Sequence, residues 1–492
     1  MKISITLSSM LGLASVASAV TYPIVDTAQV QCYDTEKAIA YLTGKQYYGQ
    51  DAQYAGHATS YVDNGDGTVS DQVTSLMWTK DPGAKKTYEE AVTDAATCRV
   101  GGHSDWRLPT IKQLYSLIQL NGTDPDPQAS GTDSLTPFID ASVFDFEYGD
   151  TSKGERIIDS QFATSTLYVS TTMKGAKTDF GVNFADGRIK GYGLMNPRGR
   201  EKTFFVLYVR GNPDYGVNAF KDNGDGTIAD TATGLTWMQA DSGEGMDWPA
   251  ALAYAEGMEF AGHSDWRLPN AKELQSIIDY TRSPDTTDSA AIDPLFEATA
   301  ITNEQGVKDY GHYWTSSTHA SSRNGAQAVY FAFGRSLGYM KDRRTGEGAW
   351  LDVHGAGSQR SDPKVGDASK FPQGRGPQGD AIRIDNMVRL VRGGEAVLVT
   401  DGPKLDSNPK QKLASQQQMP DPAPTMEAGR PPMSVGSAGA NFVKRLDRDG
   451  DGKVSKSEFD GPKTHFSEFD SNGDGFITET EAPTGPPKGP SR

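Results

Sequence analysis

Two twelve-residue runs near the C-terminus set carboxylates and glycine in one fixed order. DRDGDGKVSKSE places Asp447, Asp449 and Asp451 at positions 1, 3 and 5, Gly452 at 6 and Glu458 at 12. DSNGDGFITETE repeats the order with Asp470, Asn472, Asp474, Gly475 and Glu481. A calcium ion takes about six to eight hard oxygens, and alternating acidic side chains, one backbone carbonyl, a position-9 oxygen and a bidentate glutamate supply them. Lys453 and Phe476 contribute the carbonyls, and Ser455 and Thr478 stand at position 9. Val454 and Ile477, apolar at position 8, are suited to pairing the two loops back to back. A merely solvated acidic tail has no reason to place glycine at 6 and glutamate at 12 twice. Ca2+ is the cofactor this pattern predicts.

Other residues invite chemistry less strongly. His103, Asp105, Trp106 and Arg107 recur as His263, Asp265, Trp266 and Arg267, a base, an acid and a cation in one short run. Because each run stands beside a helix-cap signal, the expected role is a structural corner, with the indole buried and Asp and Arg paired to neighbours. Trp314, Tyr313 and Tyr330 are candidates to stack on a ligand such as a sugar ring, although aromatics at strand spacing are more often core. Arg343 and Arg344 with Lys341 form a local basic cluster, and Trp314, Arg343 and Arg344 are taken as candidate ligand contacts. Cys32 and Cys98 allow one bridge at most. No catalytic set emerges, so a binding protein is expected rather than an enzyme.

The elements that position these residues are duplicated. DNGDGTVSDQVTSLMW from Asp63 returns as DNGDGTIADTATGLTW from Asp222, and GGHSDWRLPTIKQLYSLI from Gly101 as AGHSDWRLPNAKELQSII from Ala261. In each copy Asn-Gly and Asp-Gly predict a tight hairpin. These DNGDG segments lack oxygen donors at positions 3 and 12 of a calcium loop, where Gly65, Gly224, Thr74 and Thr233 stand. Thr87 with Glu90, then Asp247 before Pro249, predict a first helix; Thr110 with Gln113 and Asn270 with Glu273 predict a second. Alternating apolar residues towards the closing VRG predict a curled antiparallel sheet. The expected class is α+β. A Gly-rich stretch from Gly346 to Asp380 has no counterpart in the first copy and reads as a long loop, functional or disordered.

The whole chain has 492 residues, and 48 basic against 64 acidic side chains give a net charge of −16, which disfavours nucleic acid and acidic membrane surfaces. Lys2, the apolar stretch from Leu7 to Val16 and Ala17-Ser18-Ala19 read as a signal peptide cleaved after Ala19, with no later transmembrane anchor. Export to the periplasm or outside the cell is expected. The expected divisions are a signal peptide at 1–19, repeat domains at 20–212 and 213–394, a disordered linker at 395–440, the paired loops at 441–483 and a disordered tail at 484–492.

The repeated DNGDGT segments, HSDWRLP and closing VRG resemble the Lcl C-terminal-domain family, over roughly Tyr48 to Gly394. The RLPT-plus-helix segment at Arg107 and VRLVRGG at Val388 are also similar to the formylglycine-generating-enzyme superfamily. The resemblance implies two tandem C-type-lectin-like domains, and adhesin-like binding of an extracellular ligand such as a glycan. Where the family's closing VRCVR carries Cys, this chain has Tyr208 and Leu390. Formylglycine-type oxidase chemistry uses a cysteine pair, whereas Cys32 lies outside the repeated stretch and the second copy has no cysteine. The terminal runs resemble EF-hand loops, expected as a short all-α pair. Their starts lie 23 residues apart, Gly461-Pro462 interrupts the connection and Pro483 stops an exit helix. Long helices that swing apart are thereby excluded, and the pair is expected to stabilise the chain or to dock it onto an envelope protein.

Overall fold

The computed structural model describes residues 21–400 and 402, except 42, 130, 197, 343 and 344, and in the tail 443, 446–447, 451–459, 466–467, 469–478 and 480–482. The expected signal peptide, Arg343, Arg344, Asp449, the linker after 402 and the last residues lie outside the described residues.

The first repeat opens on the predicted hairpin, β1 (Tyr61–Asp63) to β2 (Thr68–Asp71), followed by β3 (Leu76–Thr79). Gly65 and Gly67 have φ of 75° and 85°, a conformation that glycine adopts without cost. Helix α1 (Tyr88–Thr97) starts at a reciprocal cap in which the Glu90 N–H donates to Thr87 Oγ1 at 3.2 Å and the Thr87 N–H to Glu90 Oε2 at 2.8 Å. Helix α2 (Ile111–Tyr115) is capped alike by Thr110 and Gln113. Strands β4 (Gln161–Phe162), β5 (Thr178–Asn183) and β6 (Arg188–Gly193) follow, and β7 (Val209–Gly211), the closing VRG, returns to pair Val209 with Trp78.

The second repeat copies this plan. Its hairpin sheet comprises β8 (Phe220–Asp222), β9 (Thr227–Asp230) and β10 (Leu235–Met238). Helix α3 (Trp248–Glu256) begins at Asp247 with Pro249 in its first turn, and α4 (Ala271–Ser276) at the Asn270–Glu273 box. Then come β11 (His312–Thr318), β12 (Gln327–Ala332), β13 (Leu337–Lys341), β14 (Gly348–Asp352), β15 (Gln359–Pro363) and β16 (Val391–Gly393). The last pairs Val391 with Trp237, the same register as in the first repeat.

Two repeats expected as separate domains form one compact unit. A six-stranded sheet runs β11-β12-β15-β6-β5-β4, so that β4, β5 and β6 of one repeat mirror β11, β12 and β15 of the other. The halves meet antiparallel at Ile189 and Gln359. Beside this seam Arg188 donates to both oxygens of Asp124 of its own repeat, at 2.6 and 2.8 Å, and across it to Ser361 Oγ at 3.3 Å. His319 packs against the same Ser361 at 3.0 Å, and burial lowers its pKa to about 4, so it is neutral. One apolar core uses residues of both copies, including Leu114, Ile118, Phe180, Leu274, Ile278 and Phe331.

This arrangement corrects the reading of the Gly-rich stretch. Sequence similarity sets GRSLGYM against GRIKGY, but β13 leaves the main sheet and pairs with β14 as a separate hairpin. The inner position is filled by β15, which lies inside the stretch from Gly346 to Asp380 and pairs with both β12 and β6. Ser358 and Gln359 are fully buried.

Two boundaries also shift. Residues that precede the first hairpin pack on both repeats: Tyr22 donates to the Ala232 carbonyl, and Gln29 Nε2 donates to the carbonyls of Leu120 and Thr318. Strand residues Tyr54–Ala55 pair with Val397–Leu398, so the chain remains ordered past Glu395, where the linker was expected. Cys32 and Cys98 are both free thiols, and burial pushes that of Cys32 up to about 12.

The tail, a second compact unit, is not all-α: beside helical residues such as Val443 and Phe466 it has β17 (Val454–Ser455) paired antiparallel with β18 (Phe476–Ile477). Val454 and Ile477 face each other in the register expected of position 8, and both are fully buried with Leu446 and Phe466 nearby. Among the described residues no helix is long and apolar enough to cross a membrane.

Candidate functional site

The HSDWRLP runs form matched corners. Trp106 and Trp266 are buried, each donating its indole N–H at 3.1 Å to a carbonyl six residues back, that of Val100 or Phe260. Asp105 accepts from Arg210 and Asp265 from Arg392, each at 2.7 Å, so the arginine of the closing VRG clasps the corner in both repeats. These ion pairs hold both carboxylates below the usual range. The acid tied to arginine and the buried indole together clamp the corner to the closing strand.

The copies differ one residue further on. Arg267 makes a bidentate pair with Glu273, at 2.5 and 2.6 Å, and both are 4% exposed. In the first repeat Gln113 occupies the glutamate's place, and Arg107 reaches only the carbonyls of Val209 and Asn212, both at 3.4 Å.

Trp314 as a ligand contact is corrected. It is fully buried in the core around α3, and its Nε1 donates to the Met246 carbonyl at 2.9 Å. Tyr313 is equally buried and bonded to Asp241, and Tyr330, 1% exposed, lies under a stacked His312 ring at 4.1 Å. No ring face is left for a sugar, because α3 and the closing segment cover the strands that carry these rings. Half-buried aromatics of this repeat include Tyr339 and Trp350, directly paired across β13 and β14 with ring centroids 5.4 Å apart. Gly348 leaves room for the Tyr339 ring, whose atoms lie 2.3 Å from where a Cβ would stand. The strand alternation in LGYMK and GAWLD was the available sequence signal. Lys341, on the same hairpin, is exposed, while Arg343 and Arg344 lie outside the described residues.

In the paired loops Asp447 Oδ2 accepts from the Gly452 N–H at 2.8 Å, and Asp470 Oδ2 from that of Gly475 at 3.0 Å. Glu458 accepts from the N–H and hydroxyl of Ser455, at 2.8 and 2.7 Å; Glu481 does so from Thr478, at 3.1 and 2.7 Å. These bonds fold position 1 onto position 6 and position 12 onto position 9 in both loops. Asp451 and Asp474 each accept the N–H of the carbonyl residue at position 7, Lys453 or Phe476, at 2.9 Å. Asn472 Nδ2 donates to Asp474 Oδ2 at 3.1 Å. The Oδ1 of Asp470 is buried without a hydrogen-bond partner. Among the described residues no three His, Cys, Asp or Glu side chains stand close enough to hold a metal; Asp449 is outside them and position 3 of the second loop is Asn472.

No curated protein and no solved structure matches the chain. One family model, the Lcl C-terminal domain, matches twice, over residues 67–210 and 226–351, together more than half of the sequence. Both hairpins and both HSDWRLP corners fall within or beside those stretches, the first closing VRG ends the first of them, and the chain belongs to the Lcl C-terminal domain family.

Proposed function

We propose that this is an exported calcium-binding protein whose two lectin-like repeats bind an extracellular ligand, such as a glycan, and whose EF-hand-like tail stabilises or docks it. It acts as a binding module and not as an enzyme. The observation that carries the calcium reading is the paired loops, with position 8 joined in an antiparallel bridge and Asp470 Oδ1 buried and unsatisfied. A buried carboxylate oxygen without a partner is costly, and a cation relieves that cost. Asp447, Asp449, Asp451, Lys453, Ser455 and Glu458 would hold one ion, and Asp470, Asn472, Asp474, Phe476, Thr478 and Glu481 a second. Bound calcium supplies a charge centre that ties each loop together. The chain's own contribution is the folded loop geometry. For the repeats, the support is the family membership and the Tyr339–Trp350 pair beside exposed Lys341.

Calcium titration of the full chain by calorimetry is expected to show two sites. Glu481→Gln removes the bidentate ligand of the second loop and should weaken that site at least about tenfold, while leaving the first measurable. Heat from neither site in the wild type would end the calcium reading. A glycan-array screen of the same protein, in calcium and in chelator, tests the repeats. Binding lost on Trp350→Ala supports the hairpin as the contact; no binding in either condition moves the repeats to envelope docking.

A further inference from the structure

A small cavity lies between the repeats, away from the corners and the β13–β14 hairpin. Lys112 and Ser116 of the first repeat, Lys272 and Ser276 of the second, and Tyr22, Tyr115 and Tyr215 are among the residues that line it. The two lysines hold the same position in IKQL and AKEL, and each reaches across the seam to the end of the other repeat's short helix. Lys112 Nζ donates to the Ser276 carbonyl at 2.6 Å and to Asn218 Oδ1 at 2.7 Å. Lys272 Nζ donates to the carbonyls of Ser116 and Asp26, both at 2.8 Å.

An ammonium carries three N–H groups, so each lysine has one donor beyond these bonds. The hydroxyls of Tyr22 and Tyr115, each residue 1% exposed, have no hydrogen-bond partner. No carboxylate lines the cavity. The acids that act on the lysines from further away include Asp230, itself bound by Asn218, Ala219 and Thr233, and Asp26, bound by Ala28 and Gly56. The wall is therefore rich in donors and cationic, in surroundings where burial drives both lysines down to about 8.

We propose that this cavity is a halide site at the joint of the two repeats, holding one chloride-sized anion between Lys112 and Lys272 with the Tyr22 and Tyr115 hydroxyls donating to it. The space is on the scale of roughly one water-sized occupant, which suits a monatomic anion better than a tetrahedral oxyanion. The anion would offset two buried charges that no carboxylate contacts, and so couple the fit of one repeat on the other to halide.

Thermal unfolding of the full chain in sodium chloride or bromide, against sodium gluconate at equal ionic strength, tests this. Halide is expected to raise Tm by roughly 2 °C per tenfold increase once the site is mostly filled, as binding to the native state alone requires. Lys112→Met should abolish the difference between salts. Tyr22→Phe with Tyr115→Phe, which removes two hydroxyls and no volume of ring, should reduce it in a protein that still folds. Crystals grown in bromide should show an anomalous peak between the lysines. Equal Tm in halide and gluconate, or no bromide peak there, would overturn the proposal.

Discussion

Glu273→Ala is expected to destabilise the protein by about 3–5 kcal/mol, because it leaves the Arg267 guanidinium buried without its partner. The pair is bidentate and 4% exposed on both sides, and the same carboxylate accepts the Asn270 N–H at 2.9 Å as half of the cap of α4. One substitution thus removes a charge pair and a helix start. Gln113→Ala, at the matching position of the first repeat, breaks only a neutral cap and is expected to cost about 1 kcal/mol. Arg267→Met in the Glu273→Ala background should recover much of the loss, since it withdraws the unpaired charge. Urea unfolding measures all four proteins. A loss below about 1 kcal/mol for Glu273→Ala, or no recovery in the double variant, would refute this account of the second corner.

Lys112 and Lys272 give the second large effect, in halide-free buffer. Burial lowers both from about 10.5 to about 8. Between those values the unfolded chain binds more protons than the native one, so stability rises with pH across that window. Below pH 8 the full cost of burying two ammoniums is present; by pH 10 most of it has been relieved. Each lysine should contribute on the order of 3 kcal/mol to that rise, at 1.36 kcal/mol per pKa unit. Buried tyrosines with raised pKa act oppositely above about pH 10, so the readable window is pH 8 to 10. The difference in unfolding free energy between wild type and Lys112→Met/Lys272→Met isolates the lysines. Identical pH slopes in the two proteins would show that these ammoniums are not desolvated as the fold implies.

Much of the fold was legible in short stretches. Thr87, Thr110, Asp247 and Asn270 each start a helix, and the DNGDG runs turn hairpins, because a cap or a turn is settled by hydrogen bonds among neighbouring residues. Val454 opposite Ile477 followed from position alone, as equivalent residues of two like loops. The corner clamp was partly legible: the indoles had to be buried, but nothing local named Arg210 and Arg392 as the partners of Asp105 and Asp265. Trp314 was misread because its burial depends on α3 and on Met246, 68 positions away, which no local spacing reports. The lysine pair was missed outright, since Lys112 and Lys272 look like surface residues of short helices until the two repeats face each other.

The sequence by itself determined the duplication, the helix caps, the hairpin turns and the order of oxygen donors in the terminal loops. Each is written within about a dozen residues. Only the tertiary structure decided that the repeats share one core, that β15 rather than β13 completes the central sheet, and which aromatics remain half-exposed. Backbone pairing offers the same donors and acceptors to any strand, so a choice between β13 and β15 rests on how side chains pack across the seam. That packing brings together residues far apart in the chain, and no run of neighbours encodes it.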